Sequence, residues 1–235
     1  METPWTSGPL VGFDTETTGV DVTSDRIVTA AVVRRVGGVD TARTWLLDPG
    51  VEIPAAATAI HGITTAHARA HGRPPATALG QIADLLAAAL LRGEPVVAFN
   101  ASFDLSLLDA ELVRHGLPTL PDRIGHPVRT VVDPLVLDRH VDRYRRGKRT
   151  LTDLCDRYGV IPEALHSADT DVAATLDVLQ AIVRCYPELT AFGLEELHDR
   201  QVLAHRAWAE HYNSWRAESG LPGPGAELAW PVRAG

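Results

Sequence analysis

Pro9-Leu-Val-Gly-Phe-Asp14-Thr-Glu16-Thr-Thr-Gly19 is the stretch from which the fold can be read. Residues 9–14 form a short apolar run, as in a buried strand, and end on a carboxylate. Arg26 to Val36 is rich in Val, Ile and Ala, Gly37-Gly38 signals a turn, and Thr41 to Leu47 reads as the returning strand. The chain therefore opens as an antiparallel meander of three strands. Helical spacing follows in Ala76–Leu91, with Leu79, Ile82, Ala83, Leu86 and Leu90 on one face and Gly93 as the stop. Pro95–Phe99 and Val128–Val132 read as strands, and Asn100–His115, Leu151–Tyr158 and Ser167–Cys185 as helices. From Val51 to Pro75 the pattern is irregular, with one short helix around Thr65–Ala70. Three strands followed by alternating helices and strands define an α/β fold with a mixed sheet.

Composition sets the outer limits. The chain has 235 residues, with 45% apolar residues, 30 acids and 22 bases, giving a net charge of −8. That length suits one domain plus an appendage, and the apolar content is enough for a sizeable core. The apolar run Leu85–Leu91 is far shorter than the ~20 residues a membrane span needs. The segment METPWTSGPL has no basic and apolar regions of the secretory kind. Two cysteines, Cys155 and Cys185, cannot build a disulfide scaffold, so a reducing cytoplasm is the expected compartment and no membrane is expected as partner. The basic residues are 21 arginines and a single lysine, Lys148. The net negative charge argues against holding nucleic acid on a broad basic surface.

The acids fall in a pattern. Side chains alternate along a strand, so Asp14 and Glu16 point to the same face, about 7 Å apart. Like charges so placed repel unless a cation lies between them, and hard oxygen ligands suit Mg²⁺ or Mn²⁺. Asp104 follows the strand 95–99, near the start of a helix, where an acid can equally well serve the helix dipole. His166-Ser-Ala-Asp169-Thr-Asp171 opens the long helix. Asp169 and Asp171 point about 200° apart on a helix. The line through Asp171 continues into Ala174, Thr175, Val178 and Ile182, so Asp171 is expected inward and Asp169 as a cap.

Taken in order, Asp-x-Glu-Thr-Thr-Gly (14–19), Asn-x-x-Phe-Asp (100–104) and His-x4-Asp (166–171) resemble the DEDDh 3′→5′ exonucleases. This family includes the proofreading epsilon subunit of bacterial DNA polymerase III, ribonuclease T and oligoribonuclease. Ala59-Ile-His61-Gly-Ile-Thr64 and Leu151-Thr-Asp-Leu-Cys-Asp-Arg-Tyr-Gly159 are similar to epsilon-type members. The resemblance implies a ribonuclease H-like fold for the exonuclease domain, residues 8–187; beyond it the polar, helical pattern reads as a C-terminal helical extension at 188–217, and the Gly-Pro-rich stretch as part of a linker and tail at 218–235. The resemblance also implies two divalent cations, Mg²⁺ or Mn²⁺, held by Asp14, Glu16, Asp104 and Asp171. Asp14 would serve both ions, Glu16 and Asp171 the nucleophile side, and Asp104 would act through water. His166 would be the general base; its imidazole titrates near pH ~6.5 when unperturbed. Asp169 departs from the family pattern, which more often has a neutral residue there.

The implied substrate is a single-stranded 3′ end, DNA favoured over RNA. Thr17, Thr18, His61, Asn100 and Phe103 are the expected substrate contacts, with Phe103 as a base stacker. The run Arg139-His-Val-Asp-Arg143-Tyr-Arg145-Arg146-Gly-Lys148-Arg149 offers phosphate contacts, led by Arg145 and Arg146. A non-catalytic binding module on the same fold would lack a ligand position, and all five are present. In the extension, Leu203, Trp208, Tyr212 and Trp215 read first as the face of an extra packed helix. Their second reading is a docking stripe for a DNA polymerase or clamp partner. Trp230, beyond the Gly-Pro-rich stretch 220–225, reads either as an anchor that folds back or as part of a disordered tail. The sequence leaves the oligomeric state open.

Overall fold

The computed structural model of the protein describes residues 5–162 and 167–233. The sheet opens with β1 (Leu10–Thr17), β2 (Ile27–Val36) and β3 (Val39–Leu46), each antiparallel to its chain neighbour. Gly37 and Gly38, at φ 57° and 82°, supply the left-handed backbone of the tight β2–β3 turn. Helices α1 (Ala55–His61), α2 (Thr65–His71) and α3 (Pro75–Leu91) lead to β4 (Val96–Val97). Then come α4 (Ala101–Arg114), α5 (Leu120–Ile124), β5 (Val131–Val132) and α6 (Pro134–Val141). Helices α7 (Leu151–Tyr158), α8 (Ala168–Cys185) and α9 (Leu194–Glu218) follow. The strand order is β3-β2-β1-β4-β5, with β4 parallel to β1 and β5 parallel to β4. This is the mixed sheet expected from the sequence.

Alternation along the strands divides the core into two layers. Val11 and Phe13 of β1, with Ala30 and Val32 of β2, face α3 and α4 and pack with Leu79, Ile82, Leu86 and Leu105. Leu10, Ala31 and Val33 face the other way and pack against Val172, Leu176 and Leu179 of α8. Gly12 lies on this second face. A Cβ there would stand 2.3 Å from Val172 Cγ1, so α8 rests directly on the β1 backbone. Asp14 and Glu16 continue the same face, which aims them at the first turn of α8.

Several elements differ from the expectation. β1 runs to Thr17 rather than ending at Asp14, so both of its acids are strand residues. β4 and β5 are two residues each. The chain leaves β4 early because Asn100 takes a left-handed turn, φ 59°, directly into α4. Helix α1 was missed: Pro54 precedes it without a side-chain cap. Helix α6 was missed too, because its C-terminal half is the basic run. Its start signal, an Asp133 cap followed by Pro134, was present.

The extension also differs. Helix α9 buries Leu197, His198, Gln201, His205 and Ala209 rather than the stripe 203, 208, 212 and 215. Leu203 and Trp215 are exposed. The buried face sits on α6 and β5. Beyond the Gly-Pro-rich stretch the chain returns: Trp230 is 6% exposed and packs in the core layer of α3 and α4.

Candidate active site

The three motifs meet at the C-terminal end of β1. Carboxylate oxygens of Asp14, Glu16 and Asp171 all lie within 4.8 Å of one another. Asp14 and Glu16 are brought there by strand alternation, and Asp171 by the first turn of α8. The sheet register is broken between Glu16 and Thr17, so regular pairing stops as the acids end. The Asp14 carboxyl is pushed well above the usual carboxylate range, first by burial and then by the negative charges of Asp104, Asp171 and Glu16. Three convergent hard oxygen donors fit a divalent cation.

Asp104 approaches from the other side of β1. It is buried, and its Oδ1 accepts from the Thr15 backbone N–H at 3.1 Å and from Thr15 Oγ1 at 2.6 Å. Burial raises it to about 7 in spite of those hydrogen bonds. Asp104 thus stands outside the three-carboxylate cluster and acts on it through charge. Asp169 accepts from Ser167 Oγ at 2.9 Å and leaves the inward position to Asp171; Ser167, not Asp169, is the N-cap residue. His166 lies outside the described residues.

The expected substrate contacts are placed as follows. Thr17 Oγ1 donates to the Gly19 carbonyl at 2.6 Å, and buried Thr18 bonds Asp25 at 2.7 Å, so this pair fixes the loop after β1. His61 accepts at Nδ1 from the Ile63 N–H at 3.1 Å. Its Nε2 is buried without a hydrogen-bond partner among the described residues. Burial lowers the pKa of this ring, which leaves a neutral imidazole. His61 and Glu16 line a cavity of about 240 Å³ together with Trp45, Ser167 and Asp169. Phe103 is partly buried against the core, with the Arg233 guanidinium 5.8 Å from its ring centroid.

Of the two leading arginines of the basic run, Arg145 is engaged internally. It bonds buried Asp138 at 2.6 Å and lies 3.4 Å from Asp142. Arg146 is exposed.

The sequence reading missed Asp133. Its Oδ1 accepts from the Asn100 N–H at 3.1 Å and caps α6 at Leu135, while Oδ2 takes the Ala101 N–H at 2.9 Å. One buried carboxylate therefore satisfies backbone donors at the starts of both α4 and α6. The Trp230 indole N–H donates to the same carboxylate at 3.4 Å, and Gln201 Oε1 of α9 accepts from the Asp133 backbone N–H at 2.8 Å. The Asp-Pro pair could have revealed Asp133. Nothing local could have revealed Gln201 or Trp230, which lie 68 and 97 positions away along the chain.

An α/β sheet that ends in a carboxylate cluster defines a candidate metal-ion site, and comparison with known proteins gives its family. The family model described as Exonuclease (RNase_T) matches residues 11–179. A DNA polymerase III subunit epsilon-like protein of Rhodobacter capsulatus is 37% identical over 199 residues, covering 82% of this chain and 26% of that protein. The PolC-type DNA polymerase III of Streptococcus thermophilus is 32% identical over 195 residues, covering 82% and 12%. Among solved structures, E. coli exonuclease I in complex with a dA16 oligonucleotide aligns with TM-score 0.64 at 19% identity, over 85% of this chain and 44% of that one. An E. coli exonuclease I complex with a dT13 oligonucleotide gives 0.62 at 20% identity, over 77% and 43%. The chain belongs to this exonuclease family. It spans about a quarter of the epsilon-like relative and about an eighth of the PolC-type one. At these identities the solved structures speak for the fold alone. Among the described residues, no helix is long and apolar enough to cross a membrane.

Proposed function

We propose that the protein is a DEDDh-type 3′→5′ exonuclease that releases nucleoside 5′-monophosphates from single-stranded or frayed DNA 3′ ends. The observation that carries this reading is the meeting of Asp14, Glu16 and Asp171 within 4.8 Å in a chain of the exonuclease family. DNA is preferred to RNA because the relatives quoted above are named for DNA polymerase III. The same names support a cytoplasmic polymerase as partner. The chemistry is assigned to residues 8–187, with 188–217 and 218–235 in support.

Asp14, Glu16 and Asp171 would hold the divalent cations, Mg²⁺ or Mn²⁺, with Asp104 adding charge from behind Thr15. Two such ions, when bound, supply Lewis-acid stabilisation of the attacking and leaving oxygens. His166 takes the proton of the attacking water, as its place five residues before Asp171 implies. The Thr17–Thr18 loop and Asn100 flank the terminal nucleotide, and Phe103 offers a ring for its base. The neutral His61 ring presents Nε2 to the same end. Arg146 faces the phosphates beyond.

A panel of 5′-labelled strands in Mg²⁺ or Mn²⁺ tests the reading: single-stranded DNA, mismatched primer–template, blunt duplex and RNA. Shortening from the 3′ end of single-stranded and mismatched DNA, and its loss in Asp171→Asn, is the expected result. Preferential loss of the RNA strand would reassign the substrate. Full activity in Asp171→Asn would refute the site.

A further inference from the structure

A cavity of about 360 Å³ opens between the segment 139–149 and α9, away from the carboxylates. Its lining includes Arg139, Arg143, Arg145, Arg149, Tyr144 and Trp208, and no acid. Two of the arginines are neutralised from beneath. Arg145 and Arg149 converge on buried Asp138, and Asp142 takes Arg145 and Arg157. Among the described residues, Arg139 and Arg143 make neither an ion pair nor a hydrogen bond.

Arg139 lies flat on an aromatic ring. Its guanidinium carbon is 3.5 Å from the Trp208 ring centroid, and Tyr212 stacks on Trp208 with centroids 5.4 Å apart. Stacking fixes the plane of a guanidinium and leaves its N–H edge open to an anion. Burial lowers the Arg139 pKa to about 10 against the attraction of Asp133 and Asp138, so the group remains charged at neutral pH. Beside it, Tyr144 is 88% exposed, an aromatic ring presented to solvent next to the Arg143 guanidinium.

We propose that this cavity is a second subsite for the nucleic-acid strand, taking an internal phosphodiester on Arg139 and Arg143 and a base on Tyr144. The inference rests on the reading of the chain as a nuclease acting on single strands. The placement fits a strand whose 3′ end lies at the carboxylates. Asp133, the N-cap of α6, is tied to the Asn100 turn, and Arg139 stands about 9 Å further along the helix. The positive charge also continues outward, through exposed Arg146 and Lys148. Such a track matches repeating phosphates better than a single carboxylate. The subsite is sequence-tolerant, because any base stacks on a ring.

The test uses 5′-labelled phosphorothioate oligothymidylates, which resist hydrolysis, in Mg²⁺. Fluorescence anisotropy gives the affinity for probes of about 4 and about 16 nucleotides, the range of single-strand site sizes. The double variant Arg143→Ala/Tyr144→Ala changes exposed side chains, so its melting temperature should match that of the parent. It should bind the long probe about tenfold more weakly, with a salt slope shallower by about 0.7 for each phosphate that the variant no longer neutralises. Its affinity for the short probe should be unchanged. Arg139→Gln should behave alike. Unchanged affinity for the long probe, or equal weakening on both lengths, overturns the proposal. So does a synthetic acidic peptide that binds the parent and not the variant while the long probe is indifferent. If no labelled strand is degraded by the parent, yet binding is length-dependent and abolished in the variant, the nuclease reading fails and the subsite stands.

Discussion

The two ends of the sheet treat their acids in opposite ways. At the N-terminal end of β1, carboxylates are matched with arginines. Glu94 bonds Arg34 at 2.7 Å and Arg92 at 2.9 Å, while Arg35 joins Asp40 at 2.7 Å and Asp177 at 2.6 Å. At the C-terminal end, Asp14, Glu16 and Asp171 lie against one another. Electrostatics follows the pairing. The arginines hold Glu94 down to about 2, whereas burial and like charges push Asp14 up. Helix α8 serves both ends, presenting Asp171 to one and Asp177 to the other. The first end is built for stability. The second gathers carboxylate oxygens in a way that suits a bound cation.

This contrast can be broken most forcefully at Asp14. Asp14→Asn should lower hydrolysis of single-stranded DNA by about 10³-fold or more, because charge stabilisation at the reacting oxygens amounts to several kcal/mol. Its melting temperature in EDTA should be no lower than that of the parent, since a buried like charge has been removed. Mg²⁺ or Mn²⁺ should raise the melting temperature of the parent and not that of the variant. A marked destabilisation in EDTA would mean that the cluster is held by pairing after all.

Gly12→Ala strikes between the ends. The new methyl meets the stiff Val172 side chain and must displace α8, at a cost of roughly 1–3 kcal/mol in denaturant unfolding. Cleavage should fall together with stability, because Asp171 moves with its helix. Stability loss with unimpaired cleavage would uncouple the two ends.

The smallest effect belongs to the paired end. Glu94→Gln should cost about 1 kcal/mol at neutral pH, a value kept low by the half-exposed arginine partners. A carboxylate whose folded pKa is depressed contributes stability above its unfolded pKa and loses it as pH falls toward the folded value. The difference between Glu94→Gln and the parent should therefore close between about pH 4.5 and about pH 2. Urea midpoints across that window provide the measurement, and cleavage at neutral pH should not change.

What was legible in the sequence depended on distance along the chain. Asp14 and Glu16 share a face because strands alternate, and Asp171 points inward because the helical stripe behind it is apolar; both follow from neighbours a few residues away. The succession of the first three strands and the helices α3, α4 and α8 is equally local in its signals. The engagement of Arg145 by Asp138 was hidden because the missed helix α6 brings them together. The burial of α9 on His198 and Gln201, rather than on its aromatic stripe, was hidden for a related reason. Polar residues were placed inside by partners on β5 and at Asp133, which no periodicity records.

Trp230 has a practical consequence for how the chain can be cut. Its indole closes on Asp133, and the Arg233 backbone N–H donates to Ser106 of α4 at 2.8 Å. Trimming at the glycine–proline stretch would look harmless, because residues 220–225 read as a dispensable tether. It would strip the lid from the carboxylate that anchors α4, and with it the footing of Asp104 and Phe103. Residues 230–233 are a keystone placed after the arch, and a shortened protein should be judged by its catalytic helix before its solubility.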